Sequence, residues 1–185
     1  MRFFHPRIVI LGCGNPSRGD DALGPAILER VNRWIDAHPG KPVVAVEDFQ
    51  LQVEHILDLE DRDLVLFVDA AASGLDPYTL TRIQPMVDSS FSTHSISPQA
   101  VLHAFRALGR GEPPHSFVLG VSGHSFELGE DLSSEALDNL DVAWSLLERL
   151  LEKPCLKCWD RSCTKPSAMA LLQSLDECVE GLQES

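Results

Sequence analysis

Residues 7–24 read RIVILGCGNPSRGDDALG. The stretch begins with an apolar run, passes through closely spaced glycines, and ends with an acidic pair followed by the first apolar residues of a helical pattern. A short apolar run of this kind is typical of a buried strand, and open α/β sheets bind their ligands where such a strand turns into a helix. We therefore expect a functional site at this turn.

The same alternation of strand and helix patterns continues along the chain. Apolar runs predict strands at 7–11, 43–46, 64–68 and 116–121, and residues 78–83 predict an edge strand. Helical periodicity and capping residues predict helices over 23–35, 51–59, 97–108 and 133–151. The order of elements predicts a three-layer α/β fold, phosphorylase/hydrolase-like, with a mostly parallel twisted sheet and helices on both faces. The last helix is predicted to bury Leu137, Leu140, Trp144, Leu147 and Leu151.

Composition limits the possible partners and compartment. The 185 residues are 44% hydrophobic, enough for one domain with a core, and 28 acidic against 15 basic residues give a formal charge of -13. This charge repels phosphate backbones and anionic lipid surfaces, so we expect neither nucleic acid nor a membrane as partner. An odd number of cysteines, five, is not a secreted disulfide framework, and the expected location is the cytoplasm.

The chain changes character after residue 152. We expect an α/β domain over 1–152 and a cysteine-containing extension over 153–185, with a weak helix near 168–182. Four thiolates there resemble a zinc site, but the second pair lacks the usual spacing, so reduced thiols are the preferred interpretation. The four cysteines are Cys155, Cys158, Cys163 and Cys178.

The glycine loop also invites a dinucleotide-binding interpretation. That fingerprint requires a third glycine where this chain has Ser17, and the adjacent Asp20 and Asp21 would repel a pyrophosphate. Nucleotide binding is therefore disfavoured. Helix capping is the simpler role for Asp20, whereas Asp21 has two further residues as potential partners.

Those partners are Asp69 and His94. Asp69 follows the run 64–68 and is expected at the carboxyl end of a buried strand, beside the strand that leads to Asp21. His94 lies in a loop before a predicted helix start at Ser97. Two carboxylates and one imidazole suit Ni²⁺, Zn²⁺ or Mn²⁺ and leave coordination positions open for a substrate.

With these residues in place, the chain resembles the hydrogenase maturation protease family over roughly residues 7–150. The resemblance rests on Gly12-x-Gly14-Asn15, on the acidic pair with Gly24 after it, and on the later Asp69 and His94 in that order. Residues 47–55 are similar to the subgroup that serves bidirectional NAD-reducing hydrogenases. The chain differs from the family pattern at Ala22, where glycine is common.

The resemblance implies a hydrolase that activates a [NiFe] hydrogenase by removing the C-terminal extension of its large-subunit precursor. It implies that Asp21, Asp69 and His94 contact nickel carried by the substrate, so that the metal is the recognition signal and the free enzyme is metal-free. The residues do not distinguish metal-activated water from a carboxylate base, or an aspartyl-type mechanism in which Asp21 and Asp69 share a proton. A non-catalytic nickel-binding chaperone with the same three residues is the alternative from another class.

Overall fold

The computed structural model describes residues 6–72, 76–87 and 96–164. Five strands are present in this part of the chain: β1 (Ile8–Cys13), β2 (Val43–Asp48), β3 (Leu64–Ala72), β4 (Tyr78–Ile83) and β5 (His115–Gly123). The α-helices there are α1 (Leu23–Ala37), α2 (Pro98–Ala107), α3 (Ser134–Glu152) and α4 (Leu156–Ser162). None of the helices in the described residues is long and apolar enough to span a membrane.

The strands form one sheet in the order β2-β1-β3-β5-β4. The first four are parallel, and β4 pairs antiparallel with β5 at one edge. The predicted mostly parallel sheet and the predicted edge strand over 78–83 are confirmed. The register pairs Gly12 of β1 with Val68 of β3, so Asp69 is the first β3 residue beyond the end of that pairing.

Side-chain alternation along the strands creates two hydrophobic cores, one on each face of the sheet. Ile8 and Ile10 point into a core with α1, α3 and α4, whereas Val9 and Leu11 point into a second core with α2 and residues 51–59. Because helices cover both faces, the three-layer prediction is also confirmed.

The two caps predicted from serine residues are present. The Ala100 N–H donates to Ser97 Oγ at 3.2 Å, and the Ala136 N–H donates to Ser133 Oγ at 3.1 Å. These bonds satisfy backbone donors that the first turns of α2 and α3 leave without intrahelical partners.

Two predictions about helices were wrong. The helix over 51–59 is instead a short 3-10 helix, Val53–Leu57, because the Gln52 N–H donates to His55 Nδ1 and closes a tight turn. Leu137 is 46% exposed, because it lies outside the face of α3 that packs on the sheet. That buried face consists of Ala136, Leu140, Ala143, Leu146, Leu147, Leu150 and Leu151.

The described part of the C-terminal extension packs against the sheet. Trp159 of α4 is fully buried, and its ring lies 5.3 Å from the Phe117 ring of β5 between centroids. The Thr164 N–H donates to the Leu80 carbonyl of β4 at 2.9 Å, and the Leu80 N–H donates to Thr164 Oγ1 at 3.2 Å. The division at residue 153 stays a prediction, and the helix near 168–182 lies outside the described residues.

The expectation of reduced thiols is corrected for one pair of cysteines. Cys155 and Cys158 form a disulfide, because the turn that begins α4 brings their Cα atoms to 5.3 Å. Cys13 and Cys163 are free thiols, and Cys178 lies outside the described residues.

Truncation of two leucines on α3 tests the assignment of its buried face. Leu140→Ala removes a side chain that is 3% exposed and is expected to lower the free energy of unfolding by about 2–5 kcal/mol. Leu137→Ala is the matched control on the same helix and is expected to cost less than about 1 kcal/mol. Urea unfolding of both variants measures the difference, and equal losses would contradict the assignment.

Candidate functional site

A cleft of about 700 Å³ opens at the carboxyl edge of the parallel strands, on the α2 side of the sheet. Its acidic residues are Asp21 and Asp69, and most of the remaining lining is apolar. Every second side chain of a strand lies on the same face of the sheet. On the cleft side these are residues 9, 11 and 13 of β1 and residues 65, 67 and 69 of β3, so Cys13 and Asp69 both reach the cleft. The lining is completed by Leu11, Gly14, Phe49, Gln50, Leu51, Phe67, Val68, Thr81, Ile83, Ile96, Ser97, Pro98, Gln99 and Val118.

Two glycines allow the loop after β1 to pack against the start of α1. A Cβ at Gly24 would lie 2.0 Å from the Cys13 carbonyl oxygen, and a Cβ at Gly14 would lie 1.9 Å from the Asp21 carbonyl oxygen. Gly14 also has a φ of 146°, which side-chain-bearing residues rarely adopt. Because neither glycine has a side chain, the backbone at the start of α1 can approach the backbone at the end of β1 closely, and Asp21 lies next to that end.

Asp21 is oriented by this loop. The Asn15 N–H donates to Asp21 Oδ2 at 2.9 Å, and the Asn15 side chain accepts a bond from the Ser17 N–H. The carboxylate is half-buried and faces the cleft. This bond engages Oδ2, whereas Oδ1 has no hydrogen-bond donor among the described residues and can serve as a ligand.

Asp20 has a different environment, although it is the adjacent residue. It is fully buried, and its carboxylate accepts bonds from the backbone N–H groups of His124, Ser125 and Ser133 and from the Ser133 hydroxyl, at 2.6–2.9 Å. Burial alone would raise the pKa of Asp20, but these four donors outweigh it and lower the pKa below its ordinary value. Asp20 thus joins the loop before α1 to the loop before α3.

Asp69 keeps an open path to solvent, yet the cleft removes much of its hydration. This desolvation raises the pKa of Asp69 to about 6. The Ala70 N–H, which donates to Asp69 Oδ1 at 2.8 Å, opposes the shift, and the negative charge of Asp21 adds to it. The two cleft carboxylates are therefore near enough to interact electrostatically. The sequence placed Asp69 after the strand, whereas β3 continues through Ala72 because β5 goes on pairing with it.

Cys13 is a cleft residue that the sequence reasoning did not assign to the site. Desolvation, and then the negative charges of Asp69 and Asp48, raise the pKa of the Cys13 thiol to about 12. A thiol with this pKa is almost entirely protonated at neutral pH and is a poor nucleophile. Its position was recoverable from the sequence, since residues 9, 11 and 13 share one face of β1.

His94 lies outside the described residues, so its predicted place beside the two carboxylates stays a prediction. Within residues 6–72, 76–87 and 96–164, no three His, Cys, Asp or Glu side chains are grouped closely enough to hold a metal. The described part of the cleft therefore offers two carboxylates, a donor set that suits a divalent cation whose remaining ligands come from elsewhere.

Neither protein-family models nor curated proteins match this chain. Solved structures do match it. A [NiFe] hydrogenase maturation protease, HycI from Thermococcus kodakarensis KOD1, aligns with a TM-score of 0.62 and 23% identity over 80% of this chain and 94% of its own. The hydrogenase maturating endopeptidase HybD from E. coli aligns with a TM-score of 0.60 and 24% identity, over 80% and 93% of the two chains. The chain has the hydrogenase maturation protease fold.

A third structure extends the comparison. The [NiFe] hydrogenase maturation protease HybD from Thermococcus kodakarensis aligns with a TM-score of 0.56 and 20% identity, over 78% of this chain and 99% of its own. In all three comparisons the alignment covers more than nine-tenths of the solved protein and about four-fifths of this chain. The fold expected from the sequence resemblance is confirmed.

Replacement of Asp20 by asparagine tests its role in holding the two loops of the maturation-protease fold. Asp20→Asn leaves buried donors without an acceptor, and each is expected to cost about 1–3 kcal/mol of unfolding free energy. Because the folded-state pKa is lowered, this stabilisation is present above the unfolded-state pKa and is lost as the pH falls through the folded-state value. Denaturant unfolding between neutral and acid pH measures both effects. The exposed Asp138→Asn on α3 is the control, and equal behaviour of the two variants would refute the assignment.

The electrostatic coupling of the two cleft carboxylates gives a second prediction. Asp21→Asn removes a negative charge and is expected to lower the pKa of Asp69 from about 6 towards its ordinary value. Desolvation is the larger cause, so part of the shift is expected to persist. NMR titration of the Asp69 side-chain carboxyl carbon in metal-free protein measures the change. Asp36→Asn, in the last turn of α1, is the control; an Asp69 titration that ignores Asp21→Asn would show that the two carboxylates do not interact.

Proposed function

We propose that this protein is an endopeptidase that removes the C-terminal extension of a [NiFe] hydrogenase large-subunit precursor, in the cytoplasm. Nickel already bound to the precursor is the recognition signal, and Asp21, Asp69 and His94 contact that nickel. The free enzyme is metal-free in this proposal, since the metal arrives as part of the substrate.

The observation that carries the proposal is the pairing of Asp21 and Asp69 across one cleft at the carboxyl edge of the sheet. The fold likeness to proteins described as maturation proteases supports the same reaction class. A cleft of about 700 Å³ with an apolar lining accommodates several residues of an extended peptide. The position of His94 in the chain is also compatible, because it precedes Ile96 of the cleft lining by only two residues.

Binding through a substrate-held metal would orient the scissile peptide before reaction. A metal ion close to the scissile bond would polarise its carbonyl group. Anchoring the peptide through the metal would also hold the scissile bond beside the catalytic groups, which speeds the reaction as in an intramolecular process. Asp21 is suited to hold the metal because Asn15 fixes one of its oxygens and leaves the other free.

Asp69 has the property required of a proton acceptor. A carboxyl with a pKa of about 6 is mostly ionised at neutral pH and still binds a proton more readily than an ordinary aspartate. Its Oδ1 accepts the Ala70 N–H, so Oδ2 would be the oxygen that faces the metal or takes the proton of the attacking water. Cys13 is not the nucleophile in this scheme, since its thiol stays protonated.

A nickel-binding chaperone is the competing function, since it would use the same three residues. Exposed Phe49, which is 69% accessible and lines the cleft, offers a contact for a partner protein in either case. The resemblance of residues 47–55 favours a bidirectional NAD-reducing hydrogenase as the source of the precursor. Peptide release separates the protease from the chaperone.

Incubation of the protein with nickel-loaded large-subunit precursor tests the proposal. Wild type is expected to release a C-terminal peptide, detected by intact mass, only when nickel is present. Asp21→Asn, Asp69→Asn and His94→Ala are each expected to slow release by about 100-fold or more, because they remove a metal contact or a proton acceptor. Cys13→Ser and Asp36→Asn are the controls and are expected to retain activity. Binding without any mass loss would establish the chaperone instead, and loss of activity in Cys13→Ser would indicate thiol catalysis.

A further inference from the structure

The disulfide between Cys155 and Cys158 has no role in the proposed peptidase reaction. It lies at the start of α4, and α4 is on the opposite face of the sheet from the cleft that contains Asp21 and Asp69. The C-x-x-C spacing is the one used by thiol–disulfide exchange proteins, whose two cysteines join and separate without a large change of backbone. Four cysteines lie in the described part of the chain, and these two are the pair that is bonded.

The two cysteine residues differ in accessibility. Cys155 is exposed, whereas Cys158 is half-buried and packs against the core formed by α1, α3 and α4. Exchange begins when an external thiolate reaches one sulfur of a disulfide in line with the bond to be broken. Because Cys155 is the exposed residue, its sulfur is the point of attack, and Cys158 is the leaving group.

A backbone donor stabilises the sulfur that must later be released. The Cys158 N–H donates to Cys155 Sγ at 3.2 Å. A hydrogen bond of this kind favours the thiolate over the thiol, which makes Cys155 a better leaving group in the second step.

The surface beside Cys155 has room for a partner sulfur. A groove of about 620 Å³ is lined by Cys155, Leu156, Pro154 and the Pro113-Pro114 pair, with His115 at its side. The other two cysteines in the described part of the chain are less suitable, because burial raises the pKa of Cys163 and that of Cys13 is about 12. The groove and the exposed sulfur lie together on one surface.

We propose that Cys155 and Cys158 form a redox-active pair that exchanges with an external thiol, with Cys155 as the exchanging sulfur. The external thiolate forms a bond to Cys155 Sγ, the Cys155–Cys158 bond breaks, and the Cys158 thiolate takes a proton from water. A second external thiolate then bonds to the attached external sulfur and releases Cys155. The protein disulfide gains two electrons and two protons, and two external thiols become one external disulfide.

The redox state also affects how firmly α4 is held. Trp159 follows Cys158 directly and is buried against Phe117, and Arg82 of β4 forms a salt bridge to Asp160 at 2.9 Å. The disulfide fixes the first turn of the helix that carries both contacts. Reduction removes this restraint on the turn, so the backbone amides of residues 156–164 are expected to become less protected from hydrogen exchange.

Equilibration of wild-type protein with buffers of graded glutathione to glutathione disulfide ratio tests the proposal directly. After acid quenching and alkylation, intact mass is expected to show reversible conversion between no free thiol and two free thiols at residues 155 and 158. A second arm replaces glutathione with a reduced dithiol protein of the thioredoxin type, which distinguishes a small-molecule from a protein source of thiol. A pair that stays oxidised throughout both arms would be a structural cross-link, and a pair that never oxidises would equally overturn the proposal.

Single variants identify the exchanging sulfur. Cys158→Ser is expected to trap a mixed disulfide between glutathione and Cys155 about tenfold or more faster than Cys155→Ser traps one on Cys158, because only Cys155 is exposed. Cys163→Ser is the control and is expected to behave as wild type. Equal trapping rates in the two variants would overturn the assignment of Cys155.

Two further measurements complete the test. Hydrogen exchange of wild-type protein is expected to show lower protection of residues 156–164 after reduction, and unchanged protection would remove the link to α4. Stoichiometric zinc binding by the reduced pair, without any mixed disulfide, would replace the exchange site with a metal site. Neither measurement depends on peptide cleavage, so the redox pair can fail while the proposed peptidase stands.

Discussion

The carboxylate of Asp20 is the contact on which the geometry of the cleft depends. Four donors from residues 124–133 converge on it, and Asp20 itself belongs to the short helical turn that leads into α1. A buried carboxylate is costly unless such donors replace its hydration, and here they do so more than completely, since the pKa is lowered. These bonds fix the helical turn, so the next residue, Asp21, faces the cleft with only one carboxylate oxygen engaged, by the Asn15 N–H.

The three aspartates near the end of β1 thus differ in hydration and in hydrogen bonding. Asp20 is buried and accepts four hydrogen bonds, which hold its pKa below the ordinary value, so it serves as a charged structural anchor. Asp69 reaches solvent but is partly desolvated by the cleft, and this desolvation raises its pKa to about 6 although the Ala70 N–H donates to it. Asp21 is held by the Asn15 N–H and adds its negative charge to the environment of Asp69. Environment, not residue type, separates an anchor from groups that can bind a cation or a proton.

Much of the fold was predictable because its signals are local. Buried parallel strands give apolar runs, helix starts carry serine caps, and the glycines at 14 and 24 mark places where a side chain has no room. Asp21 and Asp69 could be paired from the sequence because adjacent parallel strands end at one edge of the sheet. Two of the failures arise from tertiary contacts that leave no local trace. The extension of β3 past Asp69 depends on pairing with β5, and the exposure of Leu137 depends on the exact rotation of α3 against the sheet.

Residues 153–164 show most clearly that local sequence does not reveal tertiary contacts. Their composition predicted a segment separate from the domain, whereas they pack against the sheet. An antiparallel edge strand exposes backbone groups that can pair with another chain, and natural proteins cover or interrupt such edges. Thr164 binds both backbone groups of Leu80 and therefore blocks the middle of β4, while Trp159 fills the core behind it. β4 also contributes Thr81 and Ile83 to the cleft, so the segment that covers this edge supports one wall of the site from the opposite face. Residues 153–164, which the composition alone would assign to a separate tail, are for this reason part of the framework that gives the cleft its shape.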